Sequence, residues 1–322
     1  LEHRTVIDSH PSLNNPRAPR KKLRNIHHLS PFWNAMAHIG IGLFSLACVY
    51  PFLFVVVLSF TDEQSLAKNG YKIIPEQWSV EAYTYLFRTG NQLLRSYGVT
   101  LFITVVGTLL TLVIVSLYAY AISRSYFHFR GFFSFVAFFT MLFGGGLVPS
   151  YIVVTQVLHL KDTMWALILP MCVSAFSILI MRTFFKTMVP DAIIESGKID
   201  GAGEFRVFLY LVLPISLPGL ATIGLFAALG YWNDWFNALL YIDDARLLPL
   251  QSLLMKVETN IQFILQNAGV GGAADRTDMV RTLPAETTRM AMVVLATVPI
   301  IFAYPFFQRY FVQGLTIGAV KE

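Results

Sequence analysis

Six stretches of this chain contain no lysine, arginine, aspartate or glutamate: Ala35–Phe60, Ser96–Ser123, Gly131–Val154, Thr163–Met181, Leu217–Asn233 and Met290–Gln308. Each approaches or exceeds the ~20 residues that carry a helix across ~30 Å of hydrocarbon. A charged side chain at such a helix centre costs about 2.5–3.5 kcal/mol on insertion scales, so its exclusion from every window is informative. The fifth window extends to Tyr241 only by admitting Asp234, which stands out for that reason. The expected fold is an all-α membrane protein of six transmembrane helices.

Composition agrees. Charged residues are 13% of the chain, against about 25% in soluble domains, and mean hydropathy is +0.59. Nothing indicates a compact water-soluble core. The net charge of +5 is not a nucleic-acid signature, because much of the basicity lies in Arg17, Arg20, Lys21, Lys22 and Arg24, ahead of the first window. By the positive-inside rule that block holds the N-terminus in the cytoplasm, and the short Arg124–Arg130 loop points the same way. Six crossings then return the C-terminus to the cytoplasm. The first window is too long for a cleavable signal peptide and lacks a small-residue cleavage site. Cys48 and Cys172 lie in apolar runs and read as small buried hydrophobes rather than a disulfide or metal site.

Breakers punctuate the windows. Pro51 is expected to kink the first helix, and Gly144–Gly145–Gly146 with Pro149 to break the third. Those glycines read either as a hinge or cavity wall, or as a site of close helix packing. No internal repeat is apparent, whereas secondary transporters built of inverted halves carry one.

Between the fourth and fifth windows lies a polar, glycine-punctuated segment, Pro190–Gly203, closed by Leu213–Pro214. Pro190 suits a first helical position, Asp191 complements the positive end of a helix, and Gly201 permits a sharp turn. Ala192, Ser196 and Ile199, with Ile194 alongside, make a short, mostly apolar face. So short a helix is marginal in water without a surface to dock on; the alternative is an amphipathic helix lying on the bilayer. Trp232, Asn233, Asp234, Trp235 and Asn237 form a second cluster, able to stack on sugar rings and bond hydroxyls, or else to act as an interfacial aromatic belt. A third segment, Gln266–Asp275, is rich in small residues and reads as a flexible loop.

The pattern Glu195–Ser196–Gly197–x–x–x–Gly201, followed by Leu213–Pro214, resembles the "EAA" loop of permease subunits of type I ATP-binding-cassette importers. Ser196 and Gly197 stand where the family pattern has two alanines, and Asp200–Gly201–Ala202 is similar to its carbohydrate-uptake branch. The resemblance continues through Gly145–Tyr151, Tyr231–Phe236 with Pro249–Gln251, and Tyr304–Gln308 to Gly318–Lys321, so it covers nearly everything after residue 34. The subunits it is most similar to import oligosaccharides or polysaccharides such as alginate.

That resemblance implies a domain plan: a basic cytoplasmic segment over 1–34, a permease domain over 35–312 and a cytoplasmic tail over 313–322. Residues 182–214 would be the cytoplasmic coupling segment and 243–289 an extracytoplasmic loop. Glu195, Ser196, Gly197, Asp200, Gly201, Ala202 and Gly203 would contact an ATPase subunit. Asn267, Gly269, Gly271 and Gly272 would reach an external solute-binding protein, or form an ordinary surface loop. Trp232, Asn233, Asp234, Trp235 and Asn237 would line the substrate path. The implied partners are a second permease subunit (a paralogue), two ATP-binding subunits, the solute-binding protein and lipid, in a bacterial inner membrane. ATP and Mg would sit on the ATPase subunits, because the chain has no phosphate-binding Gly-x4-Gly-Lys-Ser/Thr loop. No nucleophile, base or metal constellation supports a catalytic role. The rival reading is a transporter driven by an ion gradient, for which Asp234 is the sole intramembrane carboxylate candidate.

Overall fold

The computed structural model describes residues 31–88, 91–267 and 284–319, with the side chains of 267, 307 and 309–319 left aside. It divides into two units, Leu1–Phe52 and Leu53–Glu322. The described part of the first unit is the beginning of helix α1 (Pro31–Ser59), whose large apolar side chains stand exposed, Phe44 and Leu46 among them. Pro51 lies inside α1 without ending it. Cys48 is exposed on this stretch, whereas Cys172 is buried; both are free, so the expected burial holds only for Cys172.

The second unit is helical, and among its described residues extended pairing is limited to one bridge between Thr61 and Trp78. Two short helices follow α1: α2 (Glu63–Asn69) and α3 (Glu81–Arg88). Then α4 runs unbroken over Gln92–Ser123. Three bent pairs come next. Helices α5 (Arg130–Leu142) and α6 (Leu147–Val157) meet at 113°, α7 (Met164–Met171) and α8 (Ala175–Met188) at 51°, and, after the short α9 (Asp191–Ile199), α10 (Glu204–Ile215) and α11 (Leu217–Trp232) at 81°. The chain closes with α12 (Phe236–Tyr241), α13 (Leu250–Asn267) and α14 (Ala285–Ala319). Among the described residues three helices are long and apolar enough to cross a membrane, and there are up to six spans if each bent pair counts as one.

Sequence accounts for the breaks. The turn between α5 and α6 falls on the expected glycines, with Gly146 at φ +84, a conformation that side chains disfavour. Ahead of Pro214, residues Phe208–Val212 widen into a π-helical turn. That widening accommodates a proline ring that would otherwise strike the carbonyl one turn back.

Polar contacts sort the helix ends into two opposite sets. Arg124 and Tyr126, just after α4, bond Asp191 and Glu204, at the starts of α9 and α10. At the other set of ends, Gln92 bonds the Ala245 carbonyl, and Asp162 accepts the backbone N–H groups of Asp243 and Asp244. There too Glu63 accepts the N–H groups of Glu286 and Thr287 at the start of α14. Each of α4, α5–α6, α7–α8 and α10–α11 therefore begins at one set and finishes at the other, as spans must. The 113° bend of α5–α6 does not return the chain to its starting side. This pairing of ends requires an even number of crossings between Glu63 and Glu286, and four are present among the described residues.

Each end has its own core. Near Arg124, the side chains of Val115, Ala119, Ile178, Met181, Phe185, Ile194, Val207 and Ile223 pack together. Near the opposite end, Leu86, Leu93, Trp232, Leu250, Leu254 and Met292 form another. Between them Gly107 of α4 admits the ring of Tyr231 from α11; a Cβ there would sit 2.5 Å from the ring. The Tyr231 hydroxyl donates to the Ile168 carbonyl at 2.9 Å.

Candidate functional site

Helix α9 is defined by its two ends. Pro190 occupies the cap position, with φ −60 and ψ 137, and Asp191 is the first helical residue. This is one place later than expected: the proline's extended ψ turns the chain into the helix instead of belonging to it. At the other end Gly201 has φ +80, its N–H bonds the Lys198 carbonyl, and the N–H of Ala202 bonds the Gly197 carbonyl. These two bonds form a Schellman closure, which glycine adopts without the cost that a Cβ would add.

The inward face of α9 differs from the one periodicity suggested. Ile194 and Gly197 are buried, and a Cβ on Gly197 would lie 2.8 Å from a Leu211 methyl and 3.4 Å from Val207. Gly197 therefore faces this chain's own α10. Ala192, Glu195, Ser196 and Ile199 point outward, with Ile199 86% exposed. Asp200, Gly201 and Gly203 are exposed as well, while Ala202 is partly buried against the nearby core. The outward surface thus carries a large apolar side chain, small neighbours and two carboxylates.

Residues that the sequence did not single out hold this helix. Arg124 is only 3% exposed. Its guanidinium donates to Ser123 Oγ at 2.8 Å, to Asp191 Oδ1 at 3.2 Å and to the Phe185 carbonyl at 3.2 Å, and lies 5.3 Å from the Tyr120 ring centre. Glu204 accepts from Tyr126 at 2.6 Å and Tyr120 at 3.2 Å, and pairs with Lys198 at 2.6 Å. The local signal for them in the sequence is the basic loop at 124–130, whose charge indicates a side of the membrane and not a partner.

The aromatic cluster at the opposite end is split by the fold. Trp232 is 7% exposed, and its indole N–H donates to the Ala296 carbonyl at 3.0 Å. It is a packing residue between α11 and α14. Asp234 accepts from the Asn237 backbone and side-chain N–H groups, capping α12, so its partner lies within the same turn. Asn233 is exposed and Asn237 partly so. Trp235 is exposed and lines two cavities. One, of about 340 Å3, is walled by Gln251, Met255, Glu258 and Arg289; the other, of about 590 Å3, by Ser252, Lys256, Thr259 and Asn260. Arg289 is already engaged by Glu258 at 3.0 Å and by Glu286.

Of the residues expected to meet a binding protein, Gly269, Gly271 and Gly272 lie outside the described residues, and Asn267 ends α13. Among the described residues no group of His, Cys, Asp and Glu is arranged to hold a metal ion.

Comparison with known proteins places these features in a family. The model for the binding-protein-dependent transport system inner membrane component matches residues 103–317. The chain is 38% identical over 279 residues to the polygalacturonan/rhamnogalacturonan transport system permease protein YtcP of Bacillus subtilis, covering 87% of this chain and 94% of that one. It is 40% identical over 283 residues to protein LplC of the same organism, covering 88% and 91%. In structure it is similar to a chain of a bacterial ABC transporter involved in the import of the acidic polysaccharide alginate. The TM-score there is 0.73 with 26% identity, over 88% of this chain and 99% of that chain.

Proposed function

The chain belongs to the family of binding-protein-dependent transport system inner membrane components, multi-pass permeases of ABC importers, and on that premise we propose what it carries and how it is driven. It forms half of a translocation pathway for an oligo- or polysaccharide, with a second permease subunit supplying the other half. Two ATP-binding subunits, carrying ATP and Mg, dock beneath α9. A solute-binding protein delivers the sugar to the opposite end, where the 243–289 segment would meet it. The end bearing α9 is the cytoplasmic one, which makes both termini cytoplasmic. Nucleotide binds one arrangement of the complex better than the other and so shifts the population between inward-open and outward-open forms.

The outward surface of α9 carries this reading. A nine-residue helix exposing Ile199 beside small residues and carboxylates is poorly accounted for by this chain alone. A groove in a companion subunit would cover it. The carbohydrate assignment is supported by the names of similar proteins, one of which refers to polygalacturonan/rhamnogalacturonan and another to the acidic polysaccharide alginate. It is supported also by the cavity beside Trp235, where an indole, a hydroxyl, an amide and the ammonium of Lys256 stand together. Aromatic faces stack on sugar rings, and a cation there would answer a uronate carboxylate.

The test is co-purification. Gly201→Trp imposes a side chain on a left-handed position with open space around it, and Ile199→Asp puts a charge on the exposed apolar patch without touching the core. Both are expected to release the ATPase subunits or to uncouple their hydrolysis from a loaded binding protein. Normal assembly and transport in both variants would refute docking at α9.

A further inference from the structure

Helix α9 lies between two turns, at Pro190 and at Gly201, and a nine-residue helix between two turns would rock in response to a push. Two clusters oppose that motion, and they converge on one short stretch of chain. At the first turn of α9, Asp191 is held by Arg124, whose remaining contacts reach the last turn of α8 through the Phe185 carbonyl and α4 through Ser123. A guanidinium so deeply buried is costly unless its donors are taken, and here three donor nitrogens are engaged over the Tyr120 ring. In the last turn of α9, Lys198 pairs with Glu204 and lies 3.6 Å from the centre of the Tyr126 ring. Glu204 in turn accepts from both Tyr120 and Tyr126. Tyr120 belongs to both clusters: its ring lies beneath Arg124 and its hydroxyl bonds Glu204.

We propose that Arg124 and Glu204 are positioning residues that clamp both ends of α9 onto residues 120–126 at the end of α4. A displacement of α9 then passes to α4 as a rigid movement and is not absorbed in the flanking turns. From α4 it reaches α8 and α11, which pack along it. The clamp rests on the reading that α9 receives the push of an ATPase subunit. It goes further in naming where the push is delivered and which side chains deliver it.

The clamp is tested in the complete complex, reconstituted in liposomes, by measuring sugar transported per ATP hydrolysed. Asp191 and Glu204 are exposed at 79% and 50%, so Asp191→Ala/Glu204→Ala removes no buried side chain, although Arg124 and Tyr120 each lose one partner. This double variant is expected to retain its ATPase subunits and to hydrolyse ATP in response to loaded binding protein. Its transport per ATP should fall about three-fold or more, the scale of coupling changes from single contacts. Tyr126→Phe, which removes one hydrogen bond and no charge, should shift the ratio the same way by less. Lys198→Glu should lower it, and Lys198→Glu/Glu204→Lys should recover most of the loss, as a structural role without a specific pair would not. A wild-type ratio in the double variant overturns the clamp. Loss of the ATPase subunits from the double variant shows that the two carboxylates contact those subunits directly; it overturns the clamp and leaves docking standing. If even the unaltered chain binds no ATPase subunit, docking and clamp fall together.

Discussion

Replacing Gly107 with alanine should destabilise the bundle far more than one methyl group ordinarily does. The added Cβ would lie 2.5, 2.6 and 2.7 Å from three atoms of the Tyr231 ring. Carbon atoms rest about 3.5–4.0 Å apart, so ring and helix must separate by about 1 Å. The ring cannot swing aside freely, because it is buried and its hydroxyl donates to Ile168 at 2.9 Å, with Thr111 at 3.4 Å. A shift of that size breaks the bond to Ile168. Overpacking costs about 1–3 kcal/mol, and a buried hydroxyl left without its partner costs about 1–3 kcal/mol more. The better helix propensity of alanine returns about 1 kcal/mol. The net expectation is about 1–5 kcal/mol, read as a fall of roughly 2 °C or more in the apparent melting midpoint of the purified complex. Gly98→Ala, in the same helix but with open space around the new Cβ, is the control and should change little. Shortening the ring in Gly107→Ala/Tyr231→Leu should recover part of the loss. If Gly107→Ala melts like Gly98→Ala, then α4 and α11 do not meet through this glycine.

Three further outcomes follow from the same geometry. Asp162→Ala should speed hydrogen exchange at the Asp243 and Asp244 amides, which donate to its carboxylate at 2.6 and 2.9 Å; the loss is about 1–2 kcal/mol after allowance for partial exposure. Because the N–H groups of Asp244 and Asp243 hold the Asp162 carboxyl below its usual range, its contribution is present above the unfolded value of about 3.9 and vanishes as pH falls through the folded one. The difference between parent and variant should therefore be constant from neutral pH downward and shrink only in strong acid. Trp232→Phe should lower the melting midpoint while leaving the affinity for sugar unchanged, whereas Trp235→Ala should reduce sugar-stimulated hydrolysis at unchanged stability. The reverse pattern would show that the path, and not the core, runs past Trp232.

The spans were legible because the penalty for burying charge in lipid acts on composition alone, and every charge-free window became a helix or a bent pair. The ends of α9 were legible too, since Pro190 and Gly201 act through their own backbone preferences. Which way α9 faces was not. Ala192, Ser196 and Ile199 have the spacing of a stripe, but Ile194 and Gly197 turn inward because Val207 and Leu211 stand behind them. The contiguous run Trp232–Asp234–Trp235 likewise reads as one surface, yet the end of α11 sends Trp232 toward α14 and leaves Trp235 outside. Arg124 and Asp191 are 67 residues apart, and Tyr126 and Glu204 are 78 apart. No local pattern encodes such pairs, since each depends on the register of intervening spans.

The carboxylate of Glu63 has a bearing on biosynthesis. It accepts hydrogen bonds at the start of α14 from residues 223 and 224 positions further on. During synthesis that acceptor is in place long before α14 leaves the ribosome. A chain that skipped one insertion would deliver the first turn of α14 to the wrong side, about 30 Å of hydrocarbon away. Its amides would then find no acid waiting, and Glu63 would lack its helix. Only correctly threaded molecules can close this bond, so it separates finished topologies from failed ones at the last step of assembly.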